Sequence, residues 1–515
     1  MELSYKRTIF VGFAFFLICA FWQAYDNTIP LILTNKFGLP QRWSGLIMAL
    51  DNILALFMLP LFGAISDRCR SRLGRRTPFI LIGTIIAAAA FFSLSFADRM
   101  QLDKVSAVSA IDDPAALQVI YEKEAHKMLM TPGGDSFILS ELFTEEEFCQ
   151  IRTTITAQTG ETVPDPDYSD YVVPSRQAYV HEVTRQNPGP LILFIILLLI
   201  VLVSMAVFRS PAVALMPDVT IKPLRSKANA VINLMGSVGG IIVLALGMVF
   251  ATGAAINSMM NYTAYFAVIA GIMLAALAIF MLTVREPLLV HEMHETSKSL
   301  GLETEENEET GSRKLTAAEK SSLLFLLASI ILWFMGYNAV TSKYSVYAST
   351  ILNKDYNLTL IIAQLAAIIS YLPVGIIASR IGRKKCILAG VAMLAIAFGS
   401  ASFMRAGSPA MLMNLLFALA GIAWATINVN SFPMVVEMCS GGDVGKYTGI
   451  YYTASMSAQI FTPIFSGLLM DRLGMTILFP YAVLFVAAAF VTMLFVRHGD
   501  SRPAAKKGLE AFEDV

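Results

Sequence analysis

Asp26, Asp51 and Arg209 each interrupt a run that is otherwise apolar: "IFVGFAFFLICAFWQAYDNTIP", "WSGLIMALDNILALFMLP" and "LILFIILLLIVLVSMAVFRSP". Placing an ionisable side chain at such depth costs about 2.5–3.5 kcal/mol, so chains keep one where a pathway, a proton relay or a partner uses it. Asp26 follows Trp22 at helical i, i+4 spacing and Gln23 precedes Asn27 by the same interval, which gives a polar and aromatic stripe beside Tyr25. Sugars are held by this mixture, an aromatic face against the apolar face of a pyranose and carboxylate, amide or guanidinium groups on its hydroxyls. Arg209 precedes Asp218 by about 13 Å of helix, deep enough to meet one of the two aspartates. A buried Arg–Asp pair that a proton can break is a switch, because protonating the acid frees the arginine. Asp26, Asp51 and Arg209 are therefore the candidate proton-coupling groups.

Further polar and aromatic residues recur at membrane depth. Trp22, Gln23, Tyr25, Asp26, Asn27 and Asn52, with Asn233, Tyr337, Asn338, Trp424, Asn428 and Gln459 on later runs, are the candidate substrate contacts. Lys343, near the end of its run, is expected to snorkel to the interface. Five cysteines are scattered without CxxC spacing, so no metal site is indicated, and no nucleophile–base pair stands at depth. An enzyme is not expected, nor any cofactor beyond a coupling ion, most economically H+. Formal net charge is zero, which removes the basic field that nucleic acid would require.

These residues must be positioned by membrane-spanning helices. Of 515 residues 56% are hydrophobic and 15% charged, and the apolar ones gather in blocks of about 20, the length that crosses a bilayer. Twelve spans are expected, near 8–33, 43–66, 77–97, 189–217, 229–252, 263–284, 321–350, 358–379, 385–405, 409–437, 447–470 and 474–496. The first is expected to be a retained span rather than a cleaved leader. Basic loops "DRCRSRLGRR" (67–76), "KPLRSK" (222–227) and "RIGRKK" (380–385) fall on one side, expected to be cytoplasmic with both termini. The fold class is thus an all-α membrane protein of two six-helix bundles in a cell membrane, plasma or inner. Its expected division is 1–97, an extracytoplasmic insertion 98–187, 188–285, a cytoplasmic linker 286–320, a second bundle 321–497 and a tail 498–515. The insertion carries 16 acidic and 7 basic residues, and its apolar content favours local folding. The linker, with "ETEENEETGSRK", reads as a solvated acidic connection.

Span two is followed by "SDRCRSRLGRR" and span eight by "SRIGRKK", while span four ends "ALMPDV" and span ten "FPMVVEM", an echo that suggests duplication of a six-helix unit. The segment "GAISDRCRSRLGRRTPFILIG" (63–83), with "ALMPDVTIKPLRSKANAVINLMGSVGG" (214–240), resembles the sucrose-transporter and solute-carrier-45-like branch of the glycoside–pentoside–hexuronide cation symporters. The resemblance covers most of the chain except 98–187. It implies a major facilitator fold and symport of a sugar, a disaccharide or glycoside such as maltose or sucrose, with a cation. Sodium-using melibiose-type relatives carry two carboxylates four residues apart before a proline, where this chain has Ala55 and Leu59 before Pro60. They also have an acid where Arg209 precedes Ser210 and Pro211. Both departures favour a proton. A monomer with a small sugar and the bilayer as partners is expected. The rivals are a membrane sensor using 98–187 and a symporter of another polar solute. Asp67, Arg75, Arg76 and Asp218, with Arg383 and Glu437 in the second half, are expected to form a cytoplasmic gate that pairs when the opposite side is open.

Overall fold

The computed structural model describes residues 4–156, 162–221, 224–299, 316–436 and 444–498. Helices occupy all twelve expected positions. They are α1 (Tyr5–Asn35), α2 (Gln41–Arg68), α3 (Thr77–Lys104), α8 (Gly189–Val219), α9 (Arg225–Val249) and α10 (Thr263–Thr283) in the first half. The second half has α12 (Ala317–Thr350), α13 (Tyr356–Ile381), α14 (Arg383–Ala401), α15 (Ala410–Val436), α16 (Val444–Leu473) and α17 (Leu478–Leu494). Among the described residues ten are long and apolar enough to cross a membrane; α13 is apolar over Tyr356–Tyr371, and α16 is the more polar of the remaining two. Large apolar side chains such as Leu282, Leu324 and Leu484 stand on the outside. In water they would be a liability, whereas lipid is their natural solvent.

Each half has its own core. Phe21, Phe91 and Phe266 interlock in the first, with Phe91 and Phe266 centroids 4.7 Å apart. Trp333, Tyr347, Phe398 and Phe479 do so in the second. The halves meet where α2 packs on α16, α9 on α13 and α1 on α12. Second-with-fifth helix pairing occurs in both directions, the pattern a duplicated six-helix unit produces. One face of the bundle carries the basic loops and is called the loop face; the other carries residues 98–187 and is called the insertion face.

Two expected ends move. Pro30 lies inside α1, which continues to Asn35. α3 runs past 97 to Lys104 because Asp98, a polar residue read as marking its end, is buried against Lys36, whose Nζ is 2.6 and 2.7 Å from the two carboxylate oxygens. Lys343 is a correction: rather than snorkelling it is fully buried, its ammonium donating to the Gln41 carbonyl oxygen at 2.9 Å and to Gln41 Oε1 at 3.3 Å.

The insertion is folded. It contains α4 (Pro114–Glu124), α5 (Leu139–Leu142), α6 (Glu145–Gln150) and α7 (Val173–Gln186), with two hairpins, β1 (Leu129–Met130) with β2 (Ser136–Phe137) and β3 (Thr154–Thr156) with β4 (Thr162–Pro164). Val108, Leu117, Ile120, Phe148, Tyr168 and Val180 form its core, and buried Arg176 ties Tyr168 Oη (2.8 Å) to the Ile111 carbonyl (2.9 Å). The segment after α10 is not wholly a solvated connection either. Residues Glu286–Ser299 form α11, which leaves Glu286 buried at the loop face.

Candidate transport site

A cavity of about 280 Å³ lies between the halves. On the first half it is lined by Gln23, Asp26 and Asn27 of α1 and Ser237 of α9; the second half contributes an aromatic and small-residue wall from α12, α13 and α15. In that wall the rings of Tyr337 and Trp424 stack with centroids 3.6 Å apart and planes 5° from parallel, and Phe334 braces Trp424 edge-on at 5.2 Å. One ring comes from α12 and the other from α15, so the stack bridges the two helices. Polar groups thus face an aromatic plate across a gap, the geometry that a pyranose, apolar on its faces and polar around its rim, can fill.

The expected substrate contacts separate into two groups. Gln23, Asp26, Asn27, Tyr337 and Trp424 line the cavity. Asn27 is partly spent, since its Nδ2 donates to the Gln23 carbonyl at 2.8 Å. Trp22, Tyr25, Asn52, Asn233, Asn338, Asn428 and Gln459 are not among the lining residues. Tyr25 turns into the core, stacked on Phe21 and edge-on to Trp22, because residues adjacent in a helix point about 100° apart. Asn52 Nδ2 donates to Asp51 Oδ1 at 2.7 Å, and Gln459 Nε2 to the Ser455 carbonyl of its own helix at 3.4 Å. Asn233, Asn338 and Asn428 are half-buried on α9, α12 and α15. Conversely, Ser237, Thr341, Gln364 and Tyr371 line the cavity without having been singled out. Gln364 carries a signal in hindsight, an amide within the apolar run "LIIAQLAAII".

Behind the cavity, Arg209 lies within electrostatic reach of both Asp26 and Asp51. Its guanidinium sits 5.5 Å from the centroid of Trp22. The expected direct pair with an aspartate is therefore replaced by a cation–π contact; among the described residues no ion pair within 4 Å joins Arg209 to either acid. Trp22 thus serves the arginine from one side of α1 while Asp26 faces the cavity.

At the insertion face the path is closed. Asp471, near the end of α16, accepts the Gln41 N–H (2.7 Å) and the Arg42 N–H (3.0 Å), two amides at the start of α2 that have no partner within their own helix. Lys343 meets Gln41 from α12. Gly45 and Gly467 permit this approach: a Cβ on Gly45 would lie 2.0 Å from the Pro463 carbonyl oxygen, and one on Gly467 2.4 Å from that of Gln41.

At the loop face, Arg76 bonds Asp218 (2.8 Å), Asp67 (2.5 Å) and Ser66 (2.5 Å), and Arg75 reaches Asp218 at 3.3 Å. Glu286 accepts N–H bonds from Arg75, Arg76 and Thr77, at 2.7–3.0 Å, and a hydroxyl bond from Thr77 at 2.8 Å. This network was expected with the opposite side open, yet it is present with the insertion face closed. All its members belong to the first half or to α11, so they move together. Arg383 opens α14, and Glu437 lies outside the described residues.

With the fold and cavity in view, comparison with known proteins gives a consistent result. The profile of the MFS_1 like family matches residues 5–356, and that of the Major Facilitator Superfamily matches 354–513. The chain belongs to the major facilitator superfamily. Proton-associated sugar transporter A of Homo sapiens is 37% identical over 94 residues, 18% of this chain and 12% of that protein. Sucrose transport protein SUC4 of Arabidopsis thaliana is 36% identical over 84 residues, 15% of this chain and 16% of that one. The matched segments span less than a fifth of these relatives' lengths. They are nevertheless of the branch that the 63–83 motif resembled. Among solved structures, the inward-open xylose transporter XylE from E. coli superposes with TM-score 0.58 at 15% identity, covering 99% of both chains, and nucleoside transporter NupG with 0.55 at 12%, covering 94% and 99%. At such identities the likeness shows the fold. The family and its neighbours are transporters rather than enzymes.

Proposed function

We propose that this chain is a proton-coupled sugar symporter working by alternating access, with Asp26, Asp51 and Arg209 as the coupling groups. The supporting observation is the cavity between the halves, where Gln23 and Asp26 face the parallel Tyr337–Trp424 plate. Its volume stands near the lower end of the usual range for ligand pockets, about 300–1,000 Å³, which suits one pyranose ring against the plate, as in a glycoside or one half of a disaccharide such as maltose or sucrose. Names of the partial relatives, a proton-associated sugar transporter and a sucrose transport protein, agree with this substrate class.

Proton coupling follows from the charges. Asp26 is placed to contact the solute, and Asp51, bonded to Asn52 and outside the cavity lining, to carry the proton, with Arg209 against Trp22 and within electrostatic reach of both acids. Protonation of one acid weakens its hold on Arg209 and leaves the guanidinium to the other acid and to the indole. One proton moving down 100 mV supplies about 2.3 kcal/mol, enough for roughly fifty-fold accumulation of a neutral sugar. The loop face, with its Lys and Arg, is cytoplasmic under this reading, as are both termini, in a plasma or inner membrane, and the working unit is a monomer.

The test is transport by protein reconstituted in liposomes. Labelled sugars should show counterflow, and an imposed pH gradient should drive accumulation. Asp51→Asn should abolish uphill uptake while counterflow persists; Asp26→Asn should weaken both. Accumulation against a gradient by Asp26→Asn and Asp51→Asn alike would refute the coupling assignment, and absence of counterflow with every mono- and disaccharide tried would refute the substrate class.

A further inference from the structure

We propose that the insertion is a strap that holds the insertion face shut and must lift from the second half each time that face opens. Its attachment to the first half is firm. It leaves α3 and re-enters at α8, Gln101 bonds Thr184 at 2.9 Å, and the backbone of α7 sits so close to Gly38 that a Cβ there would lie 2.5 Å from the Gln177 carbonyl oxygen. The insertion's other side rests on the second half. The Met475 N–H donates to the Pro132 carbonyl oxygen at 2.7 Å, Thr476 Oγ1 to that of Gly133 at 3.4 Å, and Asn353 Nδ2 to that of Thr153 at 3.3 Å.

The docked element is the turn joining β1 to β2. It is tied across its base by the Thr131 N–H to the Asp135 carbonyl (2.8 Å) and across its tip by the Gly134 N–H to the Thr131 carbonyl (2.9 Å). Phe137, buried and edge-on to Tyr171 at 5.1 Å, fastens the hairpin to the insertion core. Gly134 (φ +103°) and Gly474 (φ +87°) stand back to back. A Cβ on Gly134 would lie 2.6 Å from the Leu473 carbonyl oxygen, and one on Gly474 would lie 2.5 Å from Gly134 N. Main chain fits main chain, with no room for a side chain from either half. Asp471 and Met475 are four residues apart across the end of α16, so the polar contacts at the start of α2 and the hairpin contact grip the same short segment. Moving that segment away from α2 must break both.

The inference rests on the halves moving and not on which solute or ion is carried, so its test uses no substrate. In a background with the native cysteines replaced, spin labels at Gly189→Cys, at the start of α8 in the first half, and at Phe403→Cys, just past α14 in the second, report the separation of the halves at the insertion face by pulsed electron resonance. Gly474, at φ +87° and ψ 163°, occupies a region open essentially to glycine alone, so Gly474→Asn strains its own backbone as well as the contact, and both Gly134→Asn and Gly474→Asn are read only as folded protein. Each should raise the open-to-closed ratio by about two- to twelvefold, the net worth of one hydrogen bond. Gly407→Ala, whose Cβ would meet open space, should leave it unchanged. Folded Gly134→Asn and Gly474→Asn proteins with the unaltered distance distribution would overturn the strap. Should neither fold, the pair Gly133→Cys and Thr476→Cys takes their place. Oxidation should remove the long-distance population seen in the reduced sample, and reductant should restore it; an oxidised, crosslinked sample that keeps that population overturns the proposal equally.

Discussion

Replacing Asp471 by Ala removes a side chain of the second half that caps a helix of the first. Its two oxygens accept the Gln41 and Arg42 amides at 2.7 and 3.0 Å. A hydrogen bond to a charged acceptor contributes about 1.5–3 kcal/mol, and a carboxylate at a helix N-terminus adds about 0.3–1 kcal/mol. Water that enters the gap restores part of this, and the two bonds are not additive, so a net loss of about 2–3 kcal/mol is expected. That shifts the closed-to-open ratio by about 27- to 140-fold, since about 1.4 kcal/mol is a factor of ten. Lys343, held 2.9 Å from the Gln41 carbonyl, keeps some closure and sets the lower part of the range. Amide hydrogen exchange reads the contact directly, because these amides are among those a helix cannot satisfy internally. Exchange over residues 40–45 should accelerate at least tenfold in Asp471→Ala and by less in Asp471→Asn, which retains one acceptor oxygen. Unchanged exchange there in a folded Asp471→Ala protein would refute the reasoning.

Trp424→Leu removes half of the aromatic plate, worth about 0.5–1.5 kcal/mol, and should raise the apparent KM of counterflow about two- to twelvefold while leaving its pH dependence in place. Glu286→Gln gives up the charge that satisfies three backbone amides and the Thr77 hydroxyl, and should destabilise the protein by about 1–3 kcal/mol, read as a lowered Tm in detergent and faster exchange over 74–80. In the insertion, burial raises the Glu124 carboxyl above its ordinary range, only partly opposed by Lys127 at 2.9 Å. The folded insertion therefore binds this proton more readily than the unfolded chain, and its stability falls as pH rises from the ordinary carboxylate range toward the raised folded value. Limited proteolysis of the full-length protein should find the insertion more resistant at mildly acidic than at neutral pH, and Glu124→Gln should reduce that difference.

The spans were legible because each is announced locally by a block of apolar residues. What the sequence hid depends on partners far along the chain. Lys343 reads as an interface lysine until Gln41, 302 residues away, is brought to its ammonium. Glu286 reads as part of an acidic linker because its partners are main-chain amides, which every non-proline residue possesses and no side-chain pattern reveals. The hairpins of the insertion are two or three residues long, too short for an alternating pattern to show. In the site, helical spacing brought Gln23, Asp26 and Asn27 to the cavity but overreached at Trp22 and Tyr25. Periodicity says which residues share a face; whether that face meets the cavity, Arg209 or the core is settled by the neighbouring helices.

α2 joins the proposed coupling acid to both ends of the molecule. Gln41 at its start is held by Lys343 and Asp471, Asp51 lies about 15 Å further along, and Asp67 about 24 Å beyond that at the loop face. The two intervals differ mechanically. Residues 41–59 contain no proline, whereas Pro60 inside α2 deprives the helix of one hydrogen bond between Asp51 and Asp67. Asp51 is thus tied rigidly to the insertion-face contacts and through a weakened joint to the Arg76 network. If Asp51 carries the proton, a change in its hold on Arg209 tilts a stiff rod whose far end is Gln41, and the insertion face responds first. The loop-face network, all of it on the first half and α11, can remain intact meanwhile. That is why finding it paired while the insertion face is closed does not conflict with alternating access: it stiffens the base about which α2 moves, and the contacts that must break and re-form are those between the halves, α2 with α16 among them.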